Sequence, residues 1–112
     1  MRTILAGLAF LAAAVAHAQQ PPPAPNFAPP NLSAKGVQSM AAACSMCHGT
    51  QGKPVAGSPV AALAGRSRDD TIQAMAQFKA GTKPATIMHQ ISRGYSDAEV
   101  AALADYFARQ PR

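Results

Sequence analysis

Cys44 and Cys47 stand three positions apart with His48 directly after them, in the run Cys44-Ser45-Met46-Cys47-His48. This C-x-x-C-H layout is the attachment signal of a c-type haem. Two thiols about one helical turn apart can form thioether bonds to the two vinyl groups of one porphyrin, and the adjacent imidazole then reaches the iron as proximal ligand. Two rival chemistries fit less well. A structural zinc site usually takes four ligands, and beyond this cluster only His89 remains as a plausible ligand in the mature chain. A thioredoxin-like redox pair sits near a β-α-β pattern, and the sequence carries none.

The elements that must position these residues read as helices, with no convincing strand. From about Ser33 to Met46, Val37, Met40, Ala41 and Cys44 follow the i, i+3, i+4, i+7 rule, which puts the first cysteine on the buried face. A second helix is predicted from about Arg68 to Ala80. Ser67 is placed to cap it, Gly81 to end it, and Ile72, Met75 and Phe78 to form its apolar stripe. The last helix opens on a capping box, Ser96 to Glu99, carries Val100, Leu103, Ala104 and Phe107 at helical spacing, and is stopped by Pro111. The stretch from His48 to Gly65 holds Gly49, Gly52, Pro54, Gly57 and Pro59 and reads as a loop. The fold class is all-α, with short helices packed around one haem.

Export agrees with covalent haem. Residues 1–18 read as a signal peptide, with Arg2 as a short basic region, an apolar stretch from Ile4 to Val15, and Ala16-His17-Ala18 as the cleavage site. The apolar stretch is too short and too Ala-rich for a good membrane span, so a periplasmic protein without stable membrane insertion is expected. Residues 19–30 are Pro-rich and read as an extended spacer. Residues 31–112 form the one remaining domain. So short a chain cannot build a large core and usually needs a staple. The haem, a large apolar disc, would be that staple, and the apo-protein is expected to fold poorly.

From Asn31 onward the chain resembles the class I c-type cytochromes. Within that class it is similar to the small single-haem subunits of flavocytochrome c sulfide dehydrogenases and to their free-standing relatives. The residues that carry the likeness are Cys44-Ser-Met-Cys-His48-Gly49-Thr50, Leu63-Ala64-Gly65, Ala85-Thr-Ile-Met88, Gly94-Tyr95-Ser96-Asp97 and Ala104-Asp105-Tyr106-Phe107. The resemblance implies one covalent haem c, electron transfer in place of catalysis, and redox protein partners, among them an FAD-containing dehydrogenase subunit. It also implies Met88 as second axial ligand. Leu63 is expected on the haem edge, with Ile72, Ile91 and Leu103 among the residues lining a low-polarity pocket. In the family a proline two residues before the Leu63 position usually lends its carbonyl to the proximal histidine. Here that position is Ala61, with Pro59 two residues earlier. Which carbonyl accepts from His48 is left open.

Bottom-up, a thioether is a soft ligand suited to haem iron, and a Met/His pair raises the reduction potential. Met1 leaves with the leader, Met46 lies inside the attachment motif, and Met40 and Met75 sit on apolar helix faces where methionine usually fills gaps. Met88 stands between Pro84 and Gly94, far enough from His48 to cross to the other haem face. Its rival is His89, whose simpler reading is a solvent-facing side chain.

Without Arg2 the chain keeps nine basic and five acidic side chains. Lys53, Lys79, Lys83 and Arg93 fall in segments that would flank the haem, and a basic rim would steer acidic redox partners. Plain solvated lysines explain the same pattern. No Arg-rich run or aromatic stacking platform points to nucleic acid. Asp69, Asp70, Asp97, Glu99 and Asp105 sit at helix starts or on exposed faces, where capping and surface roles account for them. Besides a subunit or a free electron shuttle, a ligand-binding haem protein with an open sixth site is the third reading, and it requires Met88 not to hold the iron.

Overall fold

The computed structural model describes residues 32–112. The leader and Pro-rich segment, residues 1–30, lie outside the described residues. Four helices follow one another: α1 (Ala34–His48), α2 (Arg68–Ala80), α3 (Met88–Ile91) and α4 (Asp97–Ala108), with single 3₁₀ turns at Thr50–Gly52 and Ser92–Gly94. Among the described residues there is no strand, in agreement with the all-α expectation.

The helix starts form where serine is available. A free helix N-terminus leaves its first amides without partners, and a serine oxygen can take one of them. Ser33 accepts from the Gly36 amide, Ser67 from the Asp70 amide, and Ser96 from the Glu99 amide. At α4 the box is reciprocal, because the Glu99 carboxylate accepts from the Ser96 amide at 2.7 Å. Gly81 ends α2 in the left-handed conformation, its amide donating to the carbonyls of Gln77 and Phe78. Arg109 caps α4, which is over at Ala108, before Pro111 is reached.

α4 packs against both α1 and α2, and α2 also packs against α3. The core is a small cluster of Ala41, Leu103 and Phe107, bordered by Met40, Cys44, Leu63, Tyr95 and Tyr106. The Tyr106 and Phe107 rings meet edge to face at 5.1 Å. Ile72, Met75 and Phe78, the apolar stripe of α2, are half-buried, and the buried residue of α2 is Ala74. The buried positions Ala41, Ala74 and Ala104 are all small, which lets helix backbones lie close and leaves larger neighbours at the borders.

No helix among the described residues is long and apolar enough to cross a membrane.

Candidate functional site

Cys44, Cys47 and His48 occupy the last turn of α1. Their i, i+3, i+4 spacing puts all three on one helix face. The helix runs two residues past the expected end at Met46 because its terminator is Gly49. That residue has φ 80° and ψ 161°, backbone that is essentially glycine's alone, and a Cβ there would run into the Lys53 carbonyl. The chain therefore leaves the helix sharply, straight after the histidine. Cys44 is half-buried against the core cluster, and burial pushes its thiol pKa up, with a smaller opposing effect from a backbone hydrogen bond. Cys47 is exposed, and the two sulfurs are not bridged to each other.

His48 is held from across the following loop. Its Nδ1–H donates to the Ala61 carbonyl at 2.7 Å. A carbonyl can only accept, so the proton sits on Nδ1 and the Nε2 lone pair is left for a metal. The loop is pinned in that position. The Gly52 carbonyl accepts from the amides of Leu63 (2.8 Å) and Ala64 (3.1 Å), and the Gly65 amide donates to the Phe107 carbonyl at 2.9 Å. The open question of the acceptor is thereby answered: it is Ala61, at the position where the resemblance expects proline. Proline is not needed for that role, because every residue carries the same carbonyl.

Met88 opens α3 and is half-buried. It comes from a different element than His48, on a short helix that packs against α2. His89 is also half-buried. The turn behind them is anchored by Ser92, which is fully buried and whose hydroxyl donates to the His89 carbonyl at 3.4 Å. Of the expected pocket residues, Leu63 borders the core cluster, Leu103 is part of it, Ile72 is half-buried and Ile91 is exposed.

The sequence places Tyr95 only within the Gly94-Tyr95-Ser96-Asp97 likeness and gives it no role. It borders the same cluster as Cys44, and its phenol pKa is raised by burial first, then by the negative charges of Cys44 and Glu99. The signal for it was present: an apolar residue just before the Ser96 cap, five positions ahead of Val100 in α4's N-terminal turn, is the pattern of a hydrophobic staple.

The expected basic rim is thinner than predicted. Lys79 Nζ binds Asp97 Oδ1 at 2.9 Å, tying the end of α2 to the start of α4, and Lys83 Nζ stands 5.8 Å from the Phe78 ring centroid. Arg68 pairs with Asp105 at 3.0 Å. Lys53 and Arg93 are exposed and make no ion pair among the described residues.

The donor set suits a covalently held haem. Two thiols and an imidazole with a free Nε2 share one face, and no group of three or more His, Cys, Asp or Glu side chains among the described residues could hold a bare metal ion. Among the described residues, four of the five exposed large apolar side chains lie in the motif, in the loop after it, or beside Met88. They are Met46 (87% exposed), Val55 (82%), Ile87 (57%) and Ile91 (42%). Apolar surface concentrated in this way marks a place where a ligand or partner belongs. The family model for cytochrome c matches residues 33–110. This chain belongs to the cytochrome c family. Its helical fold is compatible with a cytochrome c fold, and its cofactor is covalently attached haem c, which Cys44 and Cys47 could hold. As a cytochrome c it is an electron-transfer protein. It is also similar to the cytochrome subunit of sulfide dehydrogenase from Chlorobaculum tepidum, with 33% identity over 64 residues. The match takes in 57% of this chain and 56% of that relative, so the chain spans a little over half the relative's length.

Proposed function

We propose that the chain is a periplasmic single-haem carrier, with residues 1–18 as its cleaved leader, 19–30 as a spacer and 31–112 as the cytochrome domain. When bound, the haem supplies a one-electron ferric/ferrous couple. Cys44 and Cys47 attach it through their sulfurs, and the last turn of α1 fixes the direction from which they do so. His48 ligates through Nε2 while its Nδ1–H is committed to Ala61, which sets the ring's orientation and raises its basicity. Met88 would supply a thioether ligand, and Leu63 would pack against the haem. With His48 and Met88 both committed to the group, no ligand position would be left for substrate, so the role is transfer and not catalysis. The observation that carries this reading is the His48–Ala61 hydrogen bond, which leaves one lone pair directed away from the loop beside two cysteines on the same turn.

The finer reading is that the chain is the haem subunit of a flavin-dependent sulfide dehydrogenase, accepting electrons from an FAD-containing partner. The likeness to a cytochrome subunit of sulfide dehydrogenase supports it. Isolating the protein from its native periplasm without denaturants, with absorbance recorded across a sizing column, tests both levels. Flavin co-eluting with haem, well above monomer mass, is the expected result for the subunit. Haem alone at monomer size would sink that and leave the free shuttle. Carbon monoxide binding by the ferrous protein at neutral pH would overturn the closed site itself.

A further inference from the structure

Arg112 lies 47 residues from Gly65 in sequence, yet its guanidinium donates to the Gly65 carbonyl twice, from Nε at 3.0 Å and from Nη2 at 2.8 Å. Gly65 has φ +65°, and a Cβ on it would stand 2.5 Å from Arg112 Cγ, so the arginine stem lies where any larger residue would collide. A planar fork closing on one oxygen is a more directional hold than a lysine could supply.

What the fork grips is the peptide unit joining Gly65 to Arg66. The N–H end of that unit, on Arg66, donates to the Leu63 carbonyl at 3.1 Å. The Leu63 amide is bound to the Gly52 carbonyl, and two residues before Leu63 is Ala61, whose carbonyl takes the His48 proton. The Gly65 amide is held by Phe107 at the end of α4. Arg112 is thus the clasp that fixes the far end of a five-residue loop whose near end aims the Ala61 oxygen at His48. From this we propose that Arg112 is a positioning residue for the haem's proximal histidine, an inference that rests on the assignment of His48 as ligand. Holding Ala61 in place keeps the Nδ1–H bond short. A short bond makes the imidazole a stronger electron donor and favours the ferric state.

Two effects of losing Arg112 have opposite signs, which makes the idea testable. Removing a nearby positive charge lowers a reduction potential, because the oxidised iron carries more charge. Loosening the Ala61–His48 bond raises it, because the ligand donates less. In the haem-loaded protein, Arg112→Ala is expected to increase the equilibrium constant for reduction by about two- to fivefold, the worth of a partly lost hydrogen bond. That is about 18–41 mV at about 59 mV per decade for one electron. Hydrogen–deuterium exchange over residues 61–66 should quicken in parallel. Arg112→Lys, which keeps the charge but loses the fork, is expected to shift upward as well. Arg109→Ala removes an equal charge from an exposed residue without touching the loop, and is expected to move the potential down or not at all. An Arg112→Ala potential that falls or stays constant overturns the proposal, even if exchange quickens, since the residue would then act on stability alone. Failure of the His48 assignment is separable. It would appear as an unchanged haem spectrum in His48→Ala, whatever Arg112 variants do.

Discussion

Gly52 and Gly57 offer a matched pair. Both have positive φ, 81° and 80°, so a side chain at either position strains the backbone alike. They differ in surroundings. A Cβ at Gly57 meets nothing within 4 Å, whereas at Gly52 it stands 2.8 Å from both Leu63 Cβ and Phe107 Cδ1 and 3.0 Å from the Ala64 nitrogen. Gly57→Ala should therefore cost only the backbone term, about 1–2 kcal/mol. Gly52→Ala adds overpacking against Phe107, which is 2% exposed and cannot give way, and that term is about 1–3 kcal/mol. With a urea slope of about 1–1.5 kcal/mol/M, the Gly52→Ala midpoint should lie about 1–3 M below that of Gly57→Ala. Urea titration of the haem-loaded proteins, followed by helical circular dichroism, measures it. Coincident midpoints for the two variants would refute the reasoning, because they would mean that the 3₁₀ turn, the Leu63 loop and α4 are not in tight contact.

Met88→Ala should open a position at the iron, so that the ferrous protein binds carbon monoxide and the potential falls; a spectrum identical to wild type would move the ligand to His89. Tyr95 carries a phenol pKa raised mainly by burial, so its contribution to stability is fully present below the unfolded value of about 10 and is lost as pH rises through the folded value. The Cys44 part of that shift disappears once its sulfur is a thioether, but the burial part stays. Tyr95→Phe should flatten the alkaline limb of a stability-versus-pH curve, and an unaltered limb would count against it. Reduction by an acidic redox partner at low salt should slow with Lys53→Ala and hardly change with Lys79→Ala, since Asp97 already occupies Lys79; equal slowing in stopped-flow traces would contradict this. The haem-free chain should lose cooperative thermal unfolding, and a sharp calorimetric transition in it would show that the helices need no cofactor.

What could be read in advance was local. Ser67 and Ser96 as caps, Gly81 as a stop and the Cys44–His48 motif each depend on residues within four positions of one another. The end of α1 was misplaced by two residues because the terminator is a backbone conformation at Gly49, which hydrophobic periodicity does not encode. The Ala61 carbonyl could not be chosen from sequence, since all carbonyls look alike there, and only the Gly52 clamp on Leu63 and Ala64 selects it. Lys79 with Asp97, 18 residues apart, and Arg112 with Gly65, 47 apart, are pairings of side chains whose partners only the fold brings near. In α2, periodicity found the apolar face of Ile72, Met75 and Phe78, and the residue most fully covered is the small Ala74.

The same distribution of sizes explains why this fold and its cofactor are one physical problem. Among the described residues eight apolar ones are buried: Ala41, Ala64, Ala74 and Ala104 are alanines, which bury little area each, and Val37, Val100, Leu103 and Phe107 are larger. At about 25 cal/mol per Å² of apolar surface, such a core returns little against the entropy of ordering the chain. Meanwhile Val55, Ile87 and Ile91 stay in solvent on the segments next to His48 and Met88. A sequence that keeps its larger apolar groups around a site and alanines between its helices has placed part of its core outside the polypeptide. The haem completes that core, and under the ligand set proposed above, α1 at Cys44–His48 and α3 at Met88 would be tied to each other through it. Binding energy toward the cofactor is folding energy for the chain, so a change that loosens the His48 loop should register in stability and potential together.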